Sequence, residues 1–267
     1  MTSNTRNMFD LTGKVALVSG AAQGMGRAMA MALAEAGANL LLVDRNEIGV
    51  AETASSIREF GRRAEVAVAD VSKPAQIREL FQKLDREFGR IDFLGNVAGD
   101  AVLGSPEDIT LEEVEQTWRN LVLGRFCACQ EAGKRMLKAR RGSIVNIGSL
   151  ASITALGRGH IAYSMAMGAV VQMTRELSTE WASRGVRVNA ILPAQVMNPG
   201  LEKRIADAPT LRDKFLSGIP AGRFGEPADI QGLAVLLASD SASWITGALI
   251  PMDGGNLAMN AGGSRRA

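Results

Sequence analysis

The chain has 267 residues, 46% of them hydrophobic and 22% charged, with a net charge of +2 and a pI near 8.7. That length suits one or two domains, and α/β folds of this size are often one. Dispersed charge and 4% aromatic content argue against a stacking surface for nucleic acid, one histidine and two cysteines leave no zinc or transition-metal set, and no apolar run reaches the ~18 residues needed to span a bilayer.

The first ten residues lack an apolar signal region, so no secretory leader is expected. Cys127 and Cys129 lie two apart in a helical pattern, neither a C-x-x-C site nor a disulfide framework, and a reduced cytoplasmic setting follows as the expectation. No G-x-S-x-G elbow is present to supply a hydrolase nucleophile.

Taken in order, apolar runs alternate with amphipathic stretches. Strands are expected at 14–20, 39–44, 64–70 and 91–99, separated by helices at 26–37, 48–61 and 74–89, the last with Pro74 in its first turn and Gly89 after its end. One long helix is expected over 111–140, a strand at 142–149, a second long helix at 161–183 and a strand at 186–193. Residues 199–218 read as helical, 227–239 as a helix and 247–255 as a final strand. Strands apolar throughout and separated by helices predict a doubly wound α/β fold, a parallel sheet covered on both faces. Residues 1–10 read as an N-terminal extension, 11–257 as one α/β domain, and 258–267 as a tail.

Gly20, Gln23, Gly24, Met25 and Gly26 form a glycine-rich turn between the first strand and its helix, the context in which such a turn cradles a phosphate. Asp44 ends the second strand, where a carboxylate can hold ribose hydroxyls and would repel a 2′-phosphate. Arg45 could instead attract that phosphate, but Gln23 is not basic, so NAD is preferred over NADP. Asp70 and Val71 follow the third strand, where adenine would lie, and Asn96, Ala98 and Gly99 end the fourth.

Gly20-x-x-x-Gly24-x-Gly26, Asp70, Asn96-x-Ala98-Gly99, Ser149, Tyr163 and Asn189 together resemble the short-chain dehydrogenase/reductase (SDR) family over nearly the whole chain, as do residues 222–255. The resemblance implies that 11–257 is one Rossmann-like dinucleotide-binding and catalytic domain with a seven-stranded parallel sheet. It also implies a nicotinamide cofactor, and a homotetramer or dimer built through the two long helices. It implies that Ser149 holds the substrate oxygen, that Tyr163 moves the proton, and that the positions of Tyr163, Met167, Pro193 and Val196 contact the cofactor.

The family's Pro-Gly is here Pro193-Ala194 and its following threonine aligns with Asn198, and two positions beside the tyrosine also depart from that pattern. The family's lysine, four residues after the tyrosine, is here Met167, and the asparagine three residues before Gly124 is here Leu121. A thioether neither grips ribose hydroxyls nor stabilises a phenolate as an ammonium would. Asn120 precedes Leu121 but is turned about 100° away on an α-helix, so it substitutes only if the helix bulges. His160 and Arg158 read as loop residues, with a relay role and an acidic-substrate role as their alternatives. The expected function is hydride transfer between a nicotinamide cofactor and a secondary alcohol or ketone, a small-molecule substrate, with no nucleic acid or membrane as partner. The alternative is a catalytically impaired NAD(H)-binding family member with a regulatory or structural role. Restoring the charge by Met167→Lys is expected to raise turnover.

Overall fold

The computed structural model describes residues 8–259. Seven strands form one parallel sheet in the order β3-β2-β1-β4-β5-β6-β7: β1 (Val15–Ser19), β2 (Asn39–Asp44), β3 (Ala64–Val68), β4 (Phe93–Asn96), β5 (Gly142–Ile147), β6 (Val186–Pro193) and β7 (Leu249–Met252). The register follows from the apolar runs, with Leu17 opposite Leu41 on one side and Leu94 on the other. Every residue of β1 is buried, as a strand covered on both faces requires. Pro251, which cannot donate to a ladder, lies on the edge strand β7.

Helices cover both faces. Helices α1 (Gly24–Glu35), α2 (Glu47–Glu59) and α9 (Gln231–Ala238) close one apolar core. Helices α3 (Pro74–Phe88), α5 (Gly124–Ala139) and α6 (Ile161–Trp181) close the other. In α3, Ile77, Leu80, Phe81 and Leu84 are buried, the spacing of a single helical face, and Gly89 ends the helix with φ of 67°.

Three expected helices are modified. The long one is α4 (Leu111–Trp118), then a π turn (Arg119–Leu123), then α5; its start is fixed by a capping box between Thr110 and Glu113. The stretch 199–218 is two helices, α7 (Pro199–Asp207) and α8 (Thr210–Ser217), broken where Pro209 disfavours helical backbone at Ala208. The helix expected at 227–239 starts as a 3-10 turn, Pro227–Ile230. The strand expected at 247–255 narrows to β7.

The sheet's strand order reverses between β1 and β4. The ends of the strands diverge there, and the resulting crevice is where open parallel sheets bind ligands.

Candidate active site

A trough of about 570 Å³ runs along the strand ends, from Asp44 and Arg45 at one end to Ser149, Tyr163 and Pro193 at the other. Its floor begins with the glycine turn. Gly20 has φ of 73°, and a Cβ on Gly26 would strike the Gly20 carbonyl, so α1 can approach β1 this closely only with glycine. No side chain caps α1 and its first turn carries no acidic residue, so its amides are free to meet a phosphate.

Asp44 is fixed by two backbone donors, Ala22 N–H at 3.0 Å and Asn46 N–H at 3.0 Å, while Arg45 is exposed. Asp70 lies two residues beyond β3 and accepts from Ser72 N–H at 2.9 Å and Ser72 Oγ–H at 2.7 Å. Both Asp70 and Val71 line the trough, as do Gln23, Gly24 and Met25. Asn96 is buried beneath it: its amide donates to Asn146 Oδ1 at 2.9 Å, and Asn146 donates to Thr174 at 3.0 Å, joining β4, β5 and α6 under the site. Ala98 and Gly99, just beyond, line the trough.

A second cavity, of about 410 Å³, opens beside the trough and is lined by Arg158, His160, Arg204, Phe215 and Asn256. Ser149, Tyr163, Pro193, Ala194, Val196 and Asn198 line both cavities. Ser149 is held at the end of β5 by accepting from Ala151 N–H at 3.1 Å and donating its own N–H to Ser152 Oγ at 3.2 Å. Tyr163 sits in the first turn of α6.

His160 lies edge-on to Tyr163, with ring centroids 6.0 Å apart. Its Nδ1 is 2.9 Å from the carbonyls of Gly157 and Arg158, and carbonyls only accept, so Nδ1 carries the proton and Nε2 is left to accept. Burial lowers its pKa, against the pull of those two carbonyls. Arg158, with φ of 60°, stacks over the Phe215 ring at 4.8 Å.

Met167 is 1% exposed and packs with Leu121, Ala166 and Val170, with Tyr163 at the cluster's edge. The two departures from the family pattern therefore form one apolar unit. The helix does widen at Leu121, within the π turn, and Asn120 lines the trough. Its amide, however, donates to the Asp100 carbonyl at 3.0 Å.

The sequence reading passed over Arg125. This side chain is 5% exposed and lines the trough from α5. Its guanidinium donates to the carbonyls of Ile147, at the end of β5, and of Ala98, beyond β4. Nε is buried with no partner among the described residues. Burial pushes its pKa down to about 10, and the nearby Tyr163 and Cys129 act in the opposite direction. A charged residue between Gly124 and Phe126, inside an otherwise apolar helical face, was the available signal.

A parallel sheet with a glycine-rich first turn and an open crevice at its switch point defines a Rossmann-like dinucleotide fold. Residues 20–256 match the family described as enoyl-(acyl carrier protein) reductase. The chain is 41% identical over 247 residues to D-threitol dehydrogenase of Mycolicibacterium smegmatis, covering 92% of this chain and 94% of that one. It is 38% identical to the NAD-dependent glycerol dehydrogenase of Listeria innocua, covering 92% and 95%. A gluconate 5-dehydrogenase from Burkholderia cenocepacia, solved with NADP and tartrate, superimposes with a TM-score of 0.89 at 30% identity, covering 96% of this chain and 99% of that one. The chain belongs to the short-chain dehydrogenase/reductase family.

Proposed function

We propose that the protein is an NAD-dependent oxidoreductase that interconverts a secondary alcohol and a ketone. The observation that carries this is the common wall of the two cavities: Ser149 and Tyr163 are the hydroxyl-bearing residues that face both. The trough fits a dinucleotide, because the close approach at Gly26 and the uncapped amides of α1 suit its phosphates. Asp44, already oriented by Ala22 and Asn46, suits ribose hydroxyls and disfavours a 2′-phosphate, which supports NAD. When bound, the nicotinamide supplies the hydride acceptor or donor.

This chain's own residues then have separate tasks. Ser149 donates to the substrate oxygen and fixes its position. Tyr163 takes the alcohol proton in oxidation and returns it in reduction. Val196, Pro193 and Asn198 close the wall and limit water. Asn198 is itself held by accepting from Leu201 N–H at 3.0 Å. The polar rim of the second cavity, and relatives that act on threitol and glycerol, favour a polyhydroxylated substrate. A cytoplasmic homo-oligomer accompanies this reading: Leu123, Phe126, Ile161 and Met165 on the two long helical segments are exposed apolar groups suited to a second copy.

The test is turnover on a panel of polyols and hydroxy acids with NAD and with NADP, in the parent and in Tyr163→Phe. Activity with NAD that is lost in Tyr163→Phe supports the reading. Activity unchanged by Tyr163→Phe would overturn it. The buried Leu121–Met167 pair favours a second reading, an NAD(H)-binding member with little turnover. Tight NAD(H) binding with no turnover across the panel would select it.

A further inference from the structure

We propose that the substrate is a polyol bearing an oxyanion, a carboxylate or a phosphate ester, and that Arg158 and Arg204 hold that group in the second cavity while Ser149 and Tyr163 meet the hydroxyl. The inference rests on the reading of Ser149 and Tyr163 as the reacting end of the site, and it names the substrate class that end receives.

Three observations lead to it. The first is where the two guanidinium groups stand. Arg158 comes from the loop between β5 and α6, Arg204 from α7, and both line the cavity of about 410 Å³ whose wall carries Ser149 and Tyr163. That volume suits a small-molecule site. Leu201 and Phe215, members of an apolar cluster with Ile219 and Phe224, line the same cavity. An apolar surface with two cations on it is built for a ligand that is part carbon chain and part anion.

The second is that the charge is unmatched. Arg90, Arg135 and Arg223 each reach a carboxylate within 2.7 Å, whereas neither Arg158 nor Arg204 has a carboxylate partner among the described residues. The carboxylate that lines the cavity is Asp100, which sits where the cavity meets the trough and accepts from Ala101 N–H at 2.9 Å. His160 is shifted by burial toward its neutral form. The lining therefore carries an excess of positive charge. The two arginines also act on each other: after the larger effect of desolvation, the charge of Arg204 lowers the pKa of Arg158.

The third is that Arg158 is held in place. Gly157, Arg158 and Gly159 have φ of 64°, 60° and 70°, a left-handed run that a residue other than glycine rarely joins. The loop is tied down by Gly104 N–H, which donates to the Gly159 carbonyl at 2.9 Å, and by His160 Nδ1–H on the Gly157 and Arg158 carbonyls. The guanidinium lies 4.8 Å over the ring of Phe215, which is buried and edge-on to Phe224 at 6.4 Å. A guanidinium seated on a ring keeps its N–H edge for a planar oxyanion, which it meets with two parallel bonds. A solvated arginine without a ligand needs neither the left-handed loop nor the ring.

The test compares a hexitol, the corresponding aldonate and the hexitol phosphate, which differ at one terminus. Turnover with NAD and calorimetric affinity for the NAD-loaded protein are both measured. Both arginines are exposed at the rim, where a charge contact is worth less than a buried one, so effects near tenfold are expected. The parent should favour one of the two anions over the hexitol by about tenfold, mostly in KM, as a contact made equally in ground and transition states requires. Which anion it favours identifies the oxyanion. Arg158→Ala should lower the anion-to-hexitol ratio by about tenfold and Arg204→Ala by less. Arg158→Lys, which keeps the charge without the fork, should retain part of the preference. A parent that binds neither anion more tightly than the hexitol, or a ratio unmoved in Arg158→Ala, would overturn the proposal. The parent comparison needs no variant and stands even if one does not fold. Anion preference in binding without turnover keeps this inference and ends the catalytic reading, while turnover of the hexitol with no anion preference does the reverse.

Discussion

Replacing Met167 with lysine tests where the positive charge of the site resides. From sequence alone the substitution restores an ammonium one turn after Tyr163 and should help. The structure reverses the expected sign. Met167 is 1% exposed, packed on Leu121, Ala166 and Val170, and the trough already holds the Arg125 guanidinium. The change removes a buried apolar side chain worth about 1.5–3 kcal/mol. It also adds a buried ammonium with no anion, a defect of about 3–5 kcal/mol where such charges have been left unpaired. Together these losses come to about 4.5–8 kcal/mol, a large share of a typical stability of ~5–15 kcal/mol. For a chain of this size they lower the melting temperature by about 10–30 °C. Met167→Lys should therefore melt lower and turn over more slowly than the parent. Thermal melts and initial rates on the two proteins give both effects directly. A Met167→Lys protein that melts no lower and turns over faster with Arg125 intact would refute the reasoning.

Other substitutions follow from the same geometry. Asp44→Ala removes the acceptor for Ala22 and Asn46 and should shift the ratio of NAD(H) to NADP(H) affinity tenfold or more toward NADP(H), read by calorimetry; an unchanged ratio would shift attention to Arg45. Gly26→Ala places a Cβ against the Gly20 carbonyl, so it should cost about 1–3 kcal/mol of stability and abolish measurable dinucleotide binding. Phe126→Glu with Met165→Glu puts charge on the exposed helical patch and should reduce the particle mass seen by light scattering, and an already monomeric parent would remove the basis for that expectation.

How far the sequence carried depended on whether the signal was local. Strand β2, bounded by Gly37 and Asp44, and β6, ending at Pro193, have the extents their apolar runs suggest. The break between α7 and α8 was marked by Pro209, a local signal left unused. The π turn was less legible, because a widened turn reflects how a helix seats against its neighbours and leaves the residue pattern unchanged. Arg125 was hidden for a related reason. On one helix it reads as a solvated side chain, and only the convergence of β4 and β5 supplies the two carbonyls that bury it. Met167 and Leu121, 46 positions apart, were each seen as a departure, and their contact makes them one apolar cluster.

The π turn at Arg119–Leu123 also gives this helix a spare register. Such a turn holds one residue more than an α turn. Deleting a single residue there need not open a gap, since the backbone can close into regular α-helix. Everything on the N-terminal side would then rotate by about 100° relative to α5. Loss of Leu121 alone would bring Asn120 to the position three residues before Gly124. An amide would then replace the isobutyl group packed on Met167. A polar floor for the trough is thus one deletion away from an apolar one, within a fold whose sheet would not have to move.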